Sequence, residues 1–251
     1  MIKRKRRNFE QMNQYEEQAY DEIIEWKRKI LKRPKLFQRM TKQMQEKINE
    51  KIPDKAHGII TDGIKNFVKL TLTGSQITTR KSEEAHLPLK ERDEIFDEKL
   101  SVYRRSAVIE GAGTGAGGIL LGLADFPLLL SIKMKFLFDV ANLYGYDTKK
   151  YEERIFILLV FQLAFSSAEK RRETLEVIEN WDARKSEFTQ LDWQEFQQEY
   201  RDYIDFVKML QLVPGIGAVV GAYANYNLLD QLGETAKNCY RLRVLTTPPR
   251  I

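Results

Sequence analysis

Residues 110–144 read EGAGTGAGGILLGLADFPLLLSIKMKFLFDVANLY, and they hold six of the 14 glycines in a chain of 251 residues. Between Gly111 and Ile132 the only charged residue is Asp125. Several of the glycines stand four residues apart. On a helix this spacing removes side chains from one face, so that a second helix can approach closely. The glycine pairs are Gly111 with Gly115, Gly113 with Gly117, and Gly118 with Gly122.

A second stretch, residues 214–227, reads PGIGAVVGAYANYN and repeats the same pattern with Gly217 and Gly221. We predict that the two glycine-rich helices pack against each other in the manner of a glycine zipper. Asp125 and Asn225 would then fix the junction by hydrogen bonds. No stretch alternates with a period of two for long enough to be a strand. The sequence therefore predicts an all-α, multi-helix bundle built around the two GxxxG-type helices.

The remaining sequence divides into a charged N-terminal helical arm, residues 1–52, and a helical domain, residues 53–245. In the arm we predict a helix over 8–31, capped by Asn8 with Gln11 three residues later, and a second helix over 34–51. In the domain, Gly145 is a candidate helix C-cap and Asp147-Thr148 a candidate start for the next helix. In the domain we also predict helices over 53–73, 151–165, 168–184 and 191–212, with a loop over 186–192. A further helix begins at 88 and continues into the first glycine-rich stretch, and the second glycine-rich stretch is helical to 243.

Composition and charge restrict the class of protein. The net charge is +5, and part of it lies in the run Lys3-Arg4-Lys5-Arg6-Arg7. Such a run is often a solvated tail; its sharper interpretations are contact with anionic lipid or with nucleic acid, and the apolar body favours lipid.

The single cysteine, Cys239, allows no intramolecular disulfide. No signal-peptide pattern follows the basic run, which predicts a protein on the cytoplasmic side.

The sequence predicts no cofactor and no metal. Residues 113–118 match GxGxxG literally, but a dinucleotide site needs a strand before that motif, and here a charged amphipathic helix precedes it. The two histidines, His57 and His86, have no paired-ligand spacing. An enzyme without a sequence signature would have to use Asp125, Asp139, Asn225 or Asp230. Each of these also has a structural interpretation: Asp125 as the N-cap of a helix with Pro127 in its first turn, Asp139 as a partner of Lys135, and Asn225 as a helix bridge.

Residues 111–132 are nearly long enough to cross a bilayer, but the central Asp125 costs about 2.5–3.5 kcal/mol and glycine adds little hydrophobicity. A free-standing transmembrane helix is therefore disfavoured. Two broken, glycine-lined helices would form either the centre of a soluble bundle or a re-entrant hairpin. The flanking amphipathic helices favour a body that docks on the membrane surface, peripherally or by re-entrant insertion.

The chain resembles the EcsC family of bacterial proteins, and specifically a Bacillus-type member. The residues that carry the resemblance are GAGTGAGGILLGLADFP (111–127), NLYGYD (142–147), LDWQEFQ (191–197) and KMLQLVPGIGAVVGAYANYNLLDQLGETAKNCYRLR (208–243). The family takes its name from a gene beside the subunits of an ABC exporter, so the resemblance implies a membrane-proximal role. It carries over no catalytic residues.

Two functions follow as hypotheses. The first is a non-enzymatic accessory protein at the membrane, with anionic lipid and an ABC transporter subunit as expected partners and no nucleic acid. The second is a soluble enzyme with an acidic site around Asp125. The residues expected to matter for helix packing or function are Gly111, Gly115, Gly118, Gly122, Asp125, Pro127, Gly217, Gly221 and Asn225.

Overall fold

A computed structural model describes residues 12–31, 54–73, 83–114, 126–166, 168–189 and 218–246. The described residues form α-helices, with one 3-10 helix and no strand among them, so the predicted all-α class is confirmed. The predicted helices over 34–51 and 191–212 lie outside the described residues. The α-helices are α1 (Gln14–Leu31), α2 (Asp54–Thr73), α3 (Leu89–Thr114), α4 (Phe126–Leu143), α5 (Tyr151–Phe165), α6 (Ala168–Glu179), α7 (Trp181–Thr189) and α8 (Ala218–Thr246), and the 3-10 helix is Glu83–His86.

Helix α1 begins six residues later than predicted. The Asn13 side chain accepts a hydrogen bond from the Glu16 backbone N–H at 3.0 Å, and Glu16 accepts one from the Asn13 N–H at 3.2 Å. This reciprocal pair is a capping box, and it satisfies two amide groups that the helix start would leave unpaired. Residues 12 and 13 are not helical. The predicted continuous helix from residue 8 is therefore wrong at this point, although Asn8 itself lies outside the described residues.

Gly145 ends α4 as predicted. Its φ is 90°, a left-handed conformation that glycine adopts without a Cβ clash. The Tyr146 N–H donates to the Ala141 carbonyl at 2.9 Å and the Gly145 N–H donates to the Asn142 carbonyl at 3.0 Å, which is a Schellman motif. The predicted cap at Asp147-Thr148 is not the helix start. Helix α5 begins after Lys150, which makes no side-chain capping bond.

Helix α5 lies at the centre of the bundle. From Ile155 to Phe165 every residue is buried, because the run is apolar on all faces and no face can be left toward water. Its bounds, Tyr151–Phe165, agree with the prediction. Helices α2, α4, α6, α7 and α8 all contact it.

The segment after α5 differs from the predicted single helix over 168–184. The first helix ends at Glu179, and α7 begins at Trp181 and continues to Thr189, where the sequence predicted a loop from 186. The Asn180 carbonyl accepts hydrogen bonds from the Ala183 and Arg184 amides and so starts the second helix. Trp181 is 1% exposed and packs against Phe156 of α5. The buried indole thus lies at the start of α7, directly after the interruption at Asn180.

Helix α1, which the sequence assigns to the arm, is part of the main core. Ala19, Ile23 and Trp26 of α1 are buried in the same hydrophobic cluster as α3, α5 and α8. The α1 helix contacts α8, α3 and α6. The proposed boundary at residues 52 and 53 lies outside the described residues.

Candidate functional site

Three helices form a groove on one side of the bundle. Helix α8 is its floor, and α1 and α3 are its walls, both running antiparallel to α8. The groove encloses about 600 Å³, which is within the range of small-molecule sites. We refer to it as the α1–α3–α8 groove. Its lining residues are Glu22, Glu25, Trp26 and Lys29 from α1, Phe96, Asp97, Leu100 and Arg104 from α3, and Asp230, Glu234, Lys237, Asn238 and Arg241 from α8.

Among the described residues, four ion pairs between lining side chains tie the walls to the floor, and a fifth, between Arg241 and the buried Asp93, lies beneath them. Lys29 Nζ lies 2.8 Å from Glu234, and Arg241 lies 2.7 Å from Glu22; both pairs join α8 to α1. Two others join α8 to α3. These are Lys237 with Asp97, at 2.8 and 2.9 Å to the two carboxylate oxygens, and Arg104 with Asp230.

Asp93 lies beneath one end of the groove, where it is 1% exposed. Its carboxylate accepts hydrogen bonds from Arg241 Nε at 2.8 Å, from the Tyr15 hydroxyl at 2.8 Å and from the Tyr144 hydroxyl. Arg241 also donates to the Tyr15 oxygen at 3.2 Å. The buried charge is thus paired and hydrogen-bonded on several sides, which is the condition under which a buried carboxylate is tolerated. This network joins α1, α3, the end of α4 and α8.

The network shifts the pKa of its members in directions that fit its geometry. Burial, followed by the charge of Asp93, raises the pKa of Tyr15 to about 12. The same two causes raise the pKa of Tyr144 well above 10. For Glu22, burial opposes ionisation, but the hydrogen bonds from Arg241 and Gln18 outweigh it and lower the pKa. Burial would lower the pKa of Arg241, yet Asp93 and Glu22 raise it.

A second buried ion pair lies deeper in the core. Arg243 donates to both oxygens of Glu153, at 2.6 and 2.8 Å, which is the bidentate geometry that suits a guanidinium. The Arg243 guanidinium lies 3.8 Å from the ring centroid of Tyr146 and 4.2 Å from that of Phe156. These contacts add cation–π attraction in a buried region. The pair joins α8 to α5.

Gly233 allows α8 to approach α3 closely. A Cβ atom placed on Gly233 would lie 2.8 Å from both terminal methyls of Leu100, which is closer than van der Waals contact allows. Leu100 is 6% exposed and lines the groove. Glycine at this position therefore leaves room for the Leu100 side chain between α3 and α8.

The residues singled out from the sequence are mostly elsewhere. Gly111 lies in the last turn of α3, Pro127 is exposed at the second position of α4, and Gly221 and Asn225 lie in the first part of α8. The described residues do not extend to Gly115, Gly118, Gly122, Asp125 and Gly217.

The alternative acidic-site residues are engaged separately. The Asp139 carboxylate accepts a hydrogen bond from the Tyr103 hydroxyl, where the sequence predicted a pair with Lys135. Asp230 pairs with Arg104 in the groove. Asp125 lies outside the described residues.

Sequence reasoning missed Asp93, Glu153, Arg241 and Arg243. The signal was present: Asp93 stands three residues before Phe96 and seven before Leu100, on the apolar stripe of α3. Arg241 and Arg243 likewise stand among the apolar residues Tyr240, Leu242 and Val244. A charge on an apolar stripe indicates a buried partner, but the sequence does not say which carboxylate meets which arginine.

Metal and thiol chemistry receive no support from the described residues. None of their His, Cys, Asp and Glu side chains form a group of three that is placed to hold a metal ion. Cys239 is fully buried, and burial raises its pKa, which keeps the thiol protonated. Across the helices that the structure describes, none is both long and apolar enough to cross a membrane.

Comparison with known proteins gives consistent matches. The model of the EcsC protein family matches residues 17–245. The chain is 52% identical over 224 residues to Protein EcsC of Bacillus subtilis (strain 168), covering 89% of this chain and 94% of that protein. It is 30% identical over 228 residues to the uncharacterized protein YdbA of Bacillus subtilis (strain 168), covering 82% of this chain and 83% of that protein. No solved structure matches.

Proposed function

The chain belongs to the EcsC protein family, and from this premise we propose that it is a non-enzymatic accessory protein that docks on the cytoplasmic face of the membrane. The docking part is the end of the bundle where α3 finishes and where α4 and α8 begin. We call it the glycine-rich end. It includes Gly111 of α3, Pro127 of α4 and Gly221 of α8.

The observation that carries this proposal is the antiparallel register of α3 with α8 and with α4. Along α8, Asp93 pairs with Arg241, Asp97 with Lys237 and Arg104 with Asp230. From one pair to the next, the residue number on α3 rises by as much as the residue number on α8 falls. Continued along both helices, this register brings the last turn of α3 and the first turns of α8 to the same end of the bundle.

Helix α4 supports the same placement. Phe96 of α3 lies beside Tyr144 at the end of α4, and Tyr103 of α3 bonds to Asp139 of α4, so these helices are also antiparallel. The start of α4 therefore lies at the glycine-rich end. Leu128 in its first turn is 51% exposed although it is a large apolar residue. The two apolar stretches of the sequence are thus joined to one end of the molecule, where an amphipathic contact with lipid is favourable.

Fractionation of the expressed protein tests this proposal. We expect the protein in the membrane pellet. Release by high salt would indicate that the protein docks on anionic lipid electrostatically, with a contribution from the basic run Lys3 to Arg7. Retention through carbonate would indicate insertion of the glycine-rich stretches. A protein that stays in the supernatant before any wash would contradict membrane docking and would move the acidic-site enzyme ahead of it.

An ABC transporter subunit is the protein partner that we propose at the membrane. The support is the family membership together with a docking end that leaves the charged α1–α3–α8 groove away from the lipid. Co-purification of the subunit with the intact chain from detergent extracts tests this pairing. Recovery of the chain alone, from membranes that contain the transporter, would contradict it.

A further inference from the structure

In three of the four ion pairs between lining residues of the α1–α3–α8 groove, the acidic side chain is more exposed than its cationic partner. The Lys237 side chain is 16% exposed against 63% for Asp97, and that of Arg241 is 6% exposed against 46% for Glu22. The Arg104 side chain is likewise less exposed than that of Asp230, at 27% against 35%. The pair of Lys29 with Glu234 is the exception, because there the lysine is the more exposed side chain. The four pairs balance in charge. The mouth of the groove is nevertheless negative, because the acidic side chains are mostly the more exposed members of the pairs.

Glu25 adds a carboxylate that this balance does not neutralise. It lines the groove and is exposed on α1. The four groove cations are each paired with another carboxylate. Within the described part of the chain, no ion pair involves Glu25. An excess of one negative charge in a partly enclosed site attracts a cation more strongly than the same charge in open solvent.

The floor of the groove contains a buried hydrogen-bond acceptor, the side-chain oxygen of Asn238. The Asn238 side chain donates from Nδ2 to the Glu234 carbonyl at 2.8 Å, which fixes the orientation of its amide. Its oxygen, Oδ1, is buried and has no hydrogen-bond partner among the described residues. Asn238 is 7% exposed. A buried acceptor without a partner costs free energy unless a donor, such as an ammonium group, reaches it.

The walls beside this acceptor are apolar. Trp26, Phe96 and Leu100 line the groove and are 4%, 1% and 6% exposed. Lys237 Nζ already lies 5.3 Å from the Phe96 ring centroid, so a flexible amine with a methylene stem is a kind of group that this wall accommodates. Aromatic and aliphatic surface between carboxylates suits an aliphatic chain that ends in ammonium groups.

We propose that the α1–α3–α8 groove is a binding site for a small aliphatic polyamine. One ammonium group is held by Glu25 and the exposed carboxylates of Glu22 and Asp97 at the mouth. Another reaches toward Asn238, and the methylene chain lies against Trp26 and Leu100. This site goes beyond membrane docking and does not depend on it, because binding is measured on the purified chain without lipid.

Calorimetric titration with spermidine tests the proposal, and two α1 variants supply the comparison. Glu25→Gln removes a carboxylate inside the groove, while Glu17→Gln removes one from an exposed position of the same helix outside it. We expect saturable binding that Glu25→Gln weakens about two- to fivefold and Glu17→Gln leaves unchanged. Both side chains are exposed, so both variants should fold like the parent.

Asn238→Leu examines the floor separately and should weaken binding by about tenfold, because a hydrogen bond to a charged donor is lost. Its melting temperature shows whether the variant is folded. The absence of saturable binding up to about 10 mM spermidine would overturn the proposal. Equal losses in Glu25→Gln and Glu17→Gln, or equally tight binding of Mg²⁺, would also overturn it, because these results mean unspecific charge attraction.

Discussion

At the scale of single residues, Asp93 is a buried carboxylate that connects α3 to three other helices. It lies between Arg241, Tyr15 and Tyr144, which stand on α8, on α1 and at the end of α4. When one partner of a buried ion pair is removed, the other is left as an uncompensated charge. This asymmetry makes the loss of Asp93 more costly than its pairing is favourable.

We therefore expect Asp93→Asn to lower the free energy of unfolding by about 3 kcal/mol. Urea denaturation followed by circular dichroism measures this change. The matched control is Asp97→Asn, one helical turn further on, whose side chain is 63% exposed and should cost less than about 1 kcal/mol. Similar losses in the two variants would show that Asp93 is not a structural centre.

The pKa of Tyr15 predicts a dependence of stability on alkaline pH. In the unfolded chain Tyr15 loses its proton near its ordinary pKa of 10, whereas the folded chain raises that pKa to about 12. Between these values the unfolded state binds fewer protons, so stability falls as the pH rises. Tyr15→Phe should show a shallower fall between pH 10 and 12 in urea midpoints. Parallel pH profiles for the parent and the variant would contradict this assignment.

Glu22 acts at the opposite end of the pH scale. Its folded-state pKa is lowered below 4.5, so its contribution is present above that value and is lost as the pH falls through the folded pKa. Glu22→Gln should therefore be less sensitive to pH than the parent below about pH 4.5, in thermal melts at closely spaced pH values. At a pH well below the folded pKa of Glu22, the parent should have no stability advantage from this group over the variant.

At the scale of elements, Gly233 lies at the antiparallel contact between α3 and α8. The two helices make the largest contact in the described bundle, and a Cβ at Gly233 would meet Leu100. Alanine normally stabilises a helix interior by about 1 kcal/mol relative to glycine. At Gly233 the steric clash opposes that gain.

Two glycines allow a matched comparison of these effects. Gly58 lies in α2, where a Cβ atom would have open space within 4 Å, so Gly58→Ala should raise the free energy of unfolding by about 0.5–1 kcal/mol. Gly233→Ala should give no gain, and Gly233→Leu should cost about 2 kcal/mol or more because the core would be overpacked. Urea denaturation measures all three variants. A gain at Gly233 equal to that at Gly58 would show that the Leu100 side chain does not restrict a Cβ atom at this position.

Sequence patterns predicted elements best where one local signal was sufficient. The apolar run of α5 predicted the bounds of that helix, and Gly145 predicted the end of α4. Both features are local, because they depend only on residues that are neighbours in the sequence. Gly233 was missed because it stands alone, without a second glycine four residues away. The partners of Arg241 were missed since they are 148 and 219 residues distant in sequence. Such pairings are set by the packing of whole helices.

At the scale of the whole molecule, the glycine-rich end and the α1–α3–α8 groove differ in chemistry. The glycine-rich end is joined to the apolar stretches, and the groove on the side of the bundle is lined by carboxylates and their paired cations. This division matches a body that faces lipid at one end and solvent along its side. The predicted packing of the two glycine-rich helices against each other remains a prediction.

Flotation of the purified chain with vesicles, with and without anionic lipid, tests membrane docking most directly. The comparison is between Leu128→Asp at the glycine-rich end and Leu31→Asp at the end of α1, both at exposed leucines. An aspartate in the first turn of α4 is favourable for the helix, so Leu128→Asp should remain folded. We predict that the parent and Leu31→Asp float with anionic vesicles, and that Leu128→Asp binds at least about tenfold more weakly. Equal flotation of the two variants, or a parent that stays at the bottom of the gradient, would contradict docking through the glycine-rich end.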